Sequence, residues 1–365
     1  MICAEQERRP LARHVGVHTS ACHPNKLKLE LQHAPIVSKP GAPRSVLARE
    51  RAQRARALLA DCRFCAHDCG VNRLAGERGL CHAGAETRFF LAQAEVTDEL
   101  ELIPTFAIAL SGCDLRCDFC ITGASSWNAG CGDALVATRG EGVPSTWLRR
   151  GVAAAQLAAK AAAALRNGAR TVMVMGGEPT IHLPAALELV SLLPDTAKLV
   201  WKTNAHGSAQ ARELLDGMFN VWLADYKFGN DTCAQRLAKV PDYSRIVREN
   251  LLWFARQSSA ERRPPARHAD EPPGWSRAGS ETGAPGAHSE LIVRHLLMPG
   301  HVDCCWRPVA EWLAENLPGV KVNLRSGFWP AWHAARHAEL RQAVSTQESD
   351  RAFALAGGFH LNLIP

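Results

Sequence analysis

Apolar positions along the chain follow two different patterns. From residue 105 onward, short runs of β-branched and aliphatic residues alternate with longer segments of helical periodicity. This alternation is typical of a parallel β-sheet whose strands are joined by crossover helices, so the sequence predicts an α/β fold with six or seven βα steps. The predicted strands cover residues 105–110, 171–175, 198–203, 220–225, 291–297, 320–325 and 359–363. The predicted helices cover residues 45–60, 183–193, 208–217, 243–257, 304–316 and 347–356, with a further helix ending near residue 167.

Two segments follow neither pattern. Residues 1–56 carry 11 Lys or Arg against 4 Asp or Glu, and they are predicted to form a disordered basic tail with one short helix. Residues 258–289 contain five prolines and four glycines but no Val, Ile, Leu, Met, Phe or Tyr, so they bury too little apolar surface to offset chain entropy. We therefore expect the tail 1–56, a cysteine-rich metal-binding module 57–100, and a barrel domain 101–365 with a disordered insertion at 258–289.

Hydropathy and charge narrow the cellular context. The chain has 47% hydrophobic and 21% charged residues, which is ordinary for a globular protein. It contains no apolar run of the roughly 18 residues that span a bilayer, and no secretory signal at its start. The basic tail lacks the aromatic interleaving or recognition motif of a nucleic-acid binder. We expect a cytoplasmic protein with no membrane partner and no nucleic-acid partner.

Cysteines are the most informative residues, because seven of the thirteen form two tight groups. A disulfide framework belongs to short secreted chains, so clusters in a chain without an export signal indicate metal or redox chemistry. Cys113, Cys117 and Cys120 form the pattern C-x3-C-x2-C directly after the strand 105–110, at the strand end where α/β barrels place their chemistry. Three thiolates on one loop suit a [4Fe–4S] cluster with one iron left open to a small ligand. The alternative is a zinc knuckle that takes a histidine from elsewhere.

A second motif, Gly176-Gly177-Glu178-Pro179, follows the next predicted strand. Glycines at a strand end let the backbone approach a ligand closely, and the Glu178 carboxylate offers an acceptor for an ammonium group. On its own, the motif is typical of a turn after a buried strand. Next to the cysteine triplet on the preceding strand, it favours a small-molecule site.

Together, CDLRCDFC at residues 113–120 and GGEP at residues 176–179 resemble the radical S-adenosylmethionine (SAM) superfamily. The resemblance implies a partial, open (β/α)6 barrel with a [4Fe–4S] cluster bound by Cys113, Cys117 and Cys120. It also implies SAM as a cofactor at the unique iron, with the GGEP stretch next to its amino group. In that superfamily the reduced cluster splits SAM to methionine and a 5′-deoxyadenosyl radical, which abstracts a hydrogen atom.

The resemblance narrows to the glycyl-radical-enzyme activating enzymes, in particular pyruvate formate-lyase activating enzyme and its uncharacterised homologues. The tripeptide DYK at residues 225–227 resembles their Asp-Leu-Lys motif, which implies that Asp225 and Lys227 lie around bound SAM. Asn204 resembles the asparagine of a Thr-Asn-Gly turn, and the run LIVRHLLMPG resembles a strand that would place Arg294 in the barrel mouth. This branch implies a protein or peptide substrate and an electron donor such as flavodoxin or ferredoxin.

Lys202 departs from this branch. Pyruvate formate-lyase activating enzyme has an acidic residue at the matching place, which helps to hold a monovalent cation beside the SAM carboxylate. Here the side chain is itself a cation. We expect the Lys202 ammonium to replace the free ion, so that SAM cleavage does not depend on added sodium or potassium. The alternative is that Lys202 points to solvent.

The earlier cysteine group has the pattern C-x2-C-x3-C-x11-C and consists of Cys62, Cys65, Cys69 and Cys81. Four thiolates close a metal site completely, which fits either a structural zinc ion or a second [4Fe–4S] cluster. The group resembles an N-terminal cysteine module of the uncharacterised homologues. By contrast, Cys233 and the pair Cys304 and Cys305 are interpreted as core packing.

The sequence thus predicts an enzyme that reductively cleaves SAM and abstracts a hydrogen atom from a protein or peptide, as the activating enzymes do. Among enzymes, the alternative is a radical SAM maturase or small-molecule enzyme that uses the earlier cysteine group as an auxiliary cluster. From another class, the alternative is a non-catalytic interaction protein in which both cysteine groups hold zinc.

Overall fold

The computed structural model of the chain describes residues 42–127, 154–258 and 289–365. Within these ranges the strands are β1 Phe89–Glu95, β2 Thr105–Leu110, β3 Thr171–Gly176, β4 Leu199–Thr203, β5 Val221–Asp225, β6 Glu290–Leu296, β7 Lys321–Arg325 and β8 Asn362–Leu363. The α-helices are α1 Arg44–Leu58, α2 Ala124–Trp127, α3 Ala154–Arg166, α4 Leu183–Ser191, α5 Ala209–Leu215, α6 Asp231–Ala238, α7 Tyr243–Ser258, α8 Arg307–Asn316 and α9 Thr346–Gly358. The predicted tail before residue 42 and the predicted insertion over 259–288 lie outside the described residues, as do Cys3, Cys22 and Cys131.

One sheet carries the fold, with its eight strands in sequential order from β1 to β8. Strands β2 to β8 run parallel, whereas β1 runs antiparallel to β2 at the edge. The predicted α/β fold with an open, partial barrel is confirmed, and every predicted strand is present. The edge strand β1 was not predicted, because its sequence FFLAQAE shows no regular alternation of apolar and polar residues.

Side chains of the parallel strands alternate between two buried surfaces. In β5, Trp222 and Ala224 pack in the main core on the helix side, whereas Val221 and Leu223 pack in a second cluster with Leu102. The second cluster fills the concave side of the sheet, which is the interior of the partial barrel. Both faces of the strands are therefore covered, as expected for a parallel sheet.

The interior of the barrel changes in character along the strands. Its first half is apolar and contains Met173, Val200, Val221, Leu223 and Ile292. Towards the carboxyl ends of the strands, the inward positions carry charged or polar groups, namely Lys202 of β4, Asp225 of β5, Arg294 of β6 and Asn323 of β7. The barrel interior is thus apolar near the amino ends of the strands and polar at its mouth, near their carboxyl ends.

An acidic segment after β1 lies along the inward side of β7. Glu101 pairs with Lys321 at 2.5 Å, Glu99 accepts a hydrogen bond from Asn323 Nδ2 at 3.0 Å, and Asp98 pairs with Arg325. These three partners alternate along β7 and so lie on one face of that strand. The segment therefore links the first strands of the sheet to β7.

Helix α1 packs against the barrel through α4. Ala48 and Ala55 are fully buried, and the Arg44 guanidinium donates to Asn220 Oδ1 at 3.1 Å and to the carbonyl of Ala197 at 2.9 Å. The boundary expected at residue 56 therefore falls inside a helix that is part of the barrel. None of the helices in the described ranges is long and apolar enough to cross a membrane.

Helix α6 was not predicted, because it is short and its sequence, DTCAQRLA, is polar. Its start is fixed by Asn230, whose side-chain oxygen accepts from the Cys233 amide at 2.8 Å. An asparagine at this position satisfies a backbone donor that has no partner within the helix. The helix ends at Lys239, which adopts a left-handed conformation.

Candidate active site

The loop after β2 carries the cysteine triplet. Cys113 and Cys117 are buried and Cys120 is partly exposed. The loop is held from outside by the end of α6, because the amides of Arg116 and Asp118 donate to the carbonyls of Ala238 and Leu237, each at 2.9 Å. The unpredicted helix α6 therefore sets the position of the loop.

Burial dominates the chemistry of the three thiols. It raises the pKa of Cys113 well above its ordinary value and the pKa of Cys117 to about 12, against the opposing charge of Lys227. The Sγ atoms of Cys113, Cys117 and Cys120 do not all lie within 4.8 Å of one another. Thiolates bound to different irons of a cubane are farther apart than thiolates on one ion, so the three sulfurs are not gathered as they are around a single tetrahedral ion.

The glycines of the second motif allow two backbone segments to approach each other closely. A Cβ atom on Gly176 would lie 2.2 Å from the carbonyl oxygen of Leu110, and one on Gly177 would lie 1.9 Å from that of Gly112. Both distances are too short for a Cβ contact, and Gly176 also has a φ of 150°. The glycines thus let the end of β3 approach the backbone that carries the cysteines.

The Glu178 carboxylate accepts hydrogen bonds from the ends of two strands. One oxygen accepts from the Thr180 amide at 3.0 Å and from the Thr203 hydroxyl at 2.8 Å, and the other accepts from the Asn204 amide at 2.8 Å. Burial, followed by the charge of Asp114, raises the pKa of Glu178 to about 7. Its side chain ties the end of β3 to the end of β4.

Asn204 contacts the cysteine loop directly. Its Nδ2 donates to Asp114 Oδ1 at 2.7 Å and lies 3.7 Å from Cys113 Sγ. The other oxygen of Asp114 is 2.8 Å from His206 Nδ1. Burial acts to raise the pKa of Asp114, but His206 and Asn204 hold it below its ordinary value. A buried carboxylate therefore lies beside the first cysteine.

The predicted SAM-contacting charges converge at the barrel mouth. Lys227 Nζ lies 2.5 Å from Asp225 Oδ2, and Arg294 Nε lies 3.1 Å from Glu99 Oε1 and 3.9 Å from Asp225 Oδ1. Asp225 is thereby kept ionised, because the charges of Lys227 and Arg294 lower its pKa against the effect of burial.

Lys202 belongs to the same charged layer and does not point to solvent. Burial, followed by the nearby charge of Arg294, lowers the pKa of Lys202 to about 8, with Asp225 and Glu99 acting in the opposite direction. It has no hydrogen bond or ion pair within the described residues. An ammonium without a partner therefore faces the barrel mouth.

The N-terminal cysteine module is packed directly beside the triplet. The Ala66 amide donates to the carbonyl of His206 at 3.1 Å, and His67 Nε2 lies 2.9 Å from the carbonyl oxygen of Asp114. Cys65 and Cys81 are buried in one small cluster. Hydrogen bonds thus connect this module to the residue that follows Cys113.

Arg73 holds the module against the barrel. It is 2% exposed and donates to the carbonyls of Gly84 at 2.9 Å and Ile181 at 2.6 Å, and its Nη1 lies 3.6 Å from Cys62 Sγ. No three of the four module cysteines have Sγ atoms that all lie within 4.8 Å of one another in this part of the structure. That spacing is wider than a single tetrahedral zinc ion requires.

Five buried polar residues that support the site were not predicted from the sequence, namely Glu99, Asp114, His206, Arg116 and Asn323. Asp114 and Arg116 lie within the predicted cysteine motif and were available as a signal, because a charged residue next to a buried ligand needs a partner. The pairing of Glu99 with Arg294 joins positions 195 residues apart and had no local signal.

The fold places a buried cysteine triplet and a charged layer at the carboxyl ends of the strands of an open barrel. Residues 108–250 match the family model described as the radical SAM superfamily. This match supports a radical SAM enzyme, and the cofactors of that superfamily are a [4Fe–4S] cluster and SAM.

Individual proteins are also similar to the chain. An uncharacterized protein of Methanocaldococcus jannaschii is 28% identical over 310 residues, which cover 85% of this chain and 78% of that protein. The solved structure of Streptococcus suis SuiB bound to S-adenosylmethionine has a TM-score of 0.44 and 14% identity, covering 69% of this chain. A domain of pyruvate-formate lyase-activating enzyme from Bacteroides vulgatus has a TM-score of 0.36 and 16% identity, covering 53% of this chain and 97% of that one. The chain spans 47% of the length of SuiB.

Proposed function

We propose that this radical SAM enzyme cleaves SAM reductively at a [4Fe–4S] cluster held by Cys113, Cys117 and Cys120, and abstracts a hydrogen atom from a protein or peptide. The observation that carries the proposal is the convergence of this buried triplet with the charged layer at the barrel mouth. Three protein thiolates leave one iron of such a cluster open, and the layer offers charges for the polar groups of SAM.

Held by these three cysteines and reduced, a cluster would supply the electron for the reductive cleavage of SAM. The protein supplies orientation and electrostatics. Lys227 is anchored by Asp225 at 2.5 Å, and its charge acts on Cys117. The Lys202 ammonium, which has no ion-pair partner within the described ranges, is available to the methionine carboxylate.

Asn204 and Asp114 tune the cluster from the other side. The Asn204 amide faces Cys113 Sγ at 3.7 Å, and hydrogen bonds to cluster sulfurs raise the reduction potential. The Asp114 carboxylate has the opposite effect, because its negative charge disfavours an added electron. His206, at 2.8 Å from Asp114, offsets part of that charge when it is protonated.

A protein or peptide substrate is supported by the motifs at β5 and β6, which resemble those of the glycyl-radical-enzyme activating enzymes. Asp225, Lys227 and Arg294, which carry this resemblance, lie in one charged layer. We further propose that the protein acts in the cytoplasm and receives its electron from a flavodoxin or ferredoxin.

The N-terminal module is proposed to hold a second [4Fe–4S] cluster. The wide spacing of Cys62, Cys65, Cys69 and Cys81 supports a cluster over a single zinc ion. Its hydrogen-bonded contact with the residues around Asp114 supports a role in passing the electron to the SAM cluster.

The first test is the formation of 5′-deoxyadenosine from SAM by the anaerobically reconstituted, dithionite-reduced protein. Wild type is expected to form it, and Cys117→Ala is expected to form none while retaining the iron of the second cluster. The iron content should be about eight atoms per chain in wild type and about four in the variant. A wild type with full iron content that neither binds nor cleaves SAM would contradict the proposal.

The substrate class needs a separate test. Glycyl radical formation on a co-expressed partner, detected by electron paramagnetic resonance, would support an activating enzyme. A second candidate function is a maturase or small-molecule enzyme, which the closeness of the two cysteine groups favours. Deuterium transfer from a labelled small molecule, and not from a protein, into 5′-deoxyadenosine would support that candidate. A colourless protein that contains zinc and no iron would instead support the non-catalytic interaction protein.

A further inference from the structure

We propose that the protein binds a zinc ion at a site separate from both cysteine groups described above. The ligands are Cys233 at the start of α6 and His301, Cys304 and Cys305 in the turn that precedes α8. Their ligand atoms all lie within 4.8 Å of one another. Three sulfurs and one imidazole nitrogen form a donor set typical of structural zinc.

The distances match a single tetrahedral ion. Cys304 Sγ lies 3.9 Å from the sulfurs of Cys233 and Cys305, and His301 Nδ1 lies 3.7, 3.2 and 3.5 Å from Cys233, Cys304 and Cys305. Around a zinc ion with ordinary bond lengths, sulfurs are about 3.8 Å apart and sulfur and nitrogen about 3.6 Å apart. The thiols of an iron–sulfur cube are farther apart, so this group fits one ion.

Local backbone structure brings the four groups together. Residues Val302–Trp306 form a π-helical turn, in which the amides of Cys305 and Trp306 both donate to the carbonyl of His301, at 3.0 and 3.1 Å. This wide turn directs two consecutive cysteines and His301 to one point, which a regular α-helix does not do for adjacent residues. Gly229 allows the close approach of the two segments, because a Cβ atom there would lie 2.3 Å from the carbonyl oxygen of Cys305.

Neighbouring polar groups are arranged as they are around metal ligands. Asn230 Nδ2 lies 3.3 Å from Cys233 Sγ and donates to the carbonyl of Cys304 at 2.6 Å. The second ring nitrogen of His301 lies 3.4 Å from Arg236 Nη2 and 3.7 Å from the Glu339 carboxylate, which Arg236 contacts at 2.6 Å. Polar groups therefore enclose both a ligand sulfur and the ring nitrogen that does not face the sulfurs.

Core packing accounts for the burial of Cys233 and Cys305 but not for the position of Cys304. Cys304 is exposed, so its sulfur is not placed there by burial, and the cysteines of the cluster are free. A disulfide would use two of the sulfurs and leave the third cysteine and the histidine unexplained. Four protein ligands also leave no open position, so the site is structural rather than catalytic. Among common metals, zinc best suits a tetrahedral set of thiolates and imidazole.

The position of the site indicates a structural role. It joins the start of α6 to the turn after β6, and the other end of α6 holds the cysteine loop through Ala238 and Leu237. A zinc ion there fixes α6 relative to the neighbouring strand end. We therefore expect zinc to support the geometry of the loop that carries Cys113, Cys117 and Cys120, without taking part in its chemistry.

The test is the zinc content of the full-length, cluster-reconstituted protein after dialysis against a chelator. Wild type is expected to retain one zinc per chain and Cys304→Ala to lose it, with at least a tenfold drop in zinc. Asp303→Ala is the matched control, because Asp303 is exposed, adjacent and not a ligand, and it should retain the zinc. Cobalt loaded in place of zinc should give tetrahedral thiolate absorption bands in wild type and in the control only.

Several results would overturn the proposal. These are a wild type without zinc, zinc that survives both Cys304→Ala and Cys233→Ala, or iron in place of zinc at this site. Since Cys304 is exposed, its replacement by alanine leaves no cavity, and the circular dichroism spectrum should stay unchanged. Because zinc is measured directly, the outcome does not depend on whether the protein cleaves SAM.

Discussion

Replacing Lys202 by methionine should strengthen the fold and weaken the binding of SAM. The ammonium is buried in the barrel mouth, and burial together with Arg294 lowers its pKa from 10.5 to about 8. The difference corresponds to an unfavourable contribution of up to about 3 kcal/mol at neutral pH. Methionine has a similar length and no charge, so Lys202→Met should raise the free energy of unfolding by up to that amount.

The same substitution should weaken the binding of SAM. Two unit charges about 4 Å apart at a protein surface attract with about 4 kcal/mol, part of which is offset by the loss of water. We therefore expect the Kd of SAM to rise by about 10-fold to 100-fold, which corresponds to about 1.4 to 2.8 kcal/mol. A purely structural lysine would not produce tighter folding and weaker ligand binding together.

The assay compares anaerobic thermal unfolding without SAM and calorimetric titration with SAM. Lys198→Met is the matched control, because Lys198 lies just before the same strand and is exposed, and it should change neither quantity. The stability of wild type should also rise as pH increases from about 8 towards 10.5, since the folded protein then loses a proton that is unfavourable to hold. This rise should be absent in Lys202→Met.

The assignment of Lys202 also predicts how SAM cleavage depends on monovalent cations. SAM cleavage by wild type should be equal in potassium, sodium and choline salts of matched ionic strength, because the cation is covalently attached. A variant that binds SAM as tightly as wild type, or a strong requirement of wild type for potassium, would refute this assignment of Lys202.

Three further outcomes follow from the site. Asn204→Ala should make the reduction potential of the cluster more negative by about 40 mV in a redox titration, because a hydrogen bond of about 1 kcal/mol to Cys113 is lost. Gly177→Ala should lower the unfolding midpoint and the iron content sharply, with a cost above about 3 kcal/mol, whereas Gly327→Ala, where a Cβ meets nothing within 4 Å, should be nearly neutral. The stability of wild type should fall as pH rises from 4.5 to about 7, because folding favours the protonated form of Glu178, and Glu178→Gln should remove this fall.

The sequence was informative where the chemistry is local. Cys113, Cys117 and Cys120 lie within eight residues, and short runs of β-branched and aliphatic residues were enough to locate each parallel strand of the sheet. The residues that support them were not predictable in this way. Glu99 reaches Arg294 from the far side of the sheet, and His206 meets Asp114 across 92 residues. Such contacts depend on the complete fold, and no spacing in the sequence encodes them.

The cluster around Cys304 also depends on backbone structure that the sequence does not reveal. Adjacent cysteines on a regular helix point in different directions, so packing was the reasonable interpretation of this pair. Only the π-helical turn brings both to His301, and only the asparagine-capped start of α6 adds Cys233 from 68 residues away. The burial of Cys233 and Cys305 in the main core agrees with that interpretation, but propensity does not predict the single π-helical turn that brings these side chains together.

The balance of charge at the mouth explains why the lysine at position 202 is compatible with the fold. In the described residues, the layer contains the cations Lys202, Lys227 and Arg294 and the carboxylates Asp225 and Glu99. The carboxylates are already paired with Lys227 and Arg294, so Lys202 is the unbalanced charge. An acid at this position would reverse the excess and would need a bound cation before it could receive another carboxylate. In the function that we propose, the lysine removes that need, and its ammonium stays desolvated and unpaired until the SAM carboxylate binds, so the same side chain is expected to lower stability and to strengthen binding.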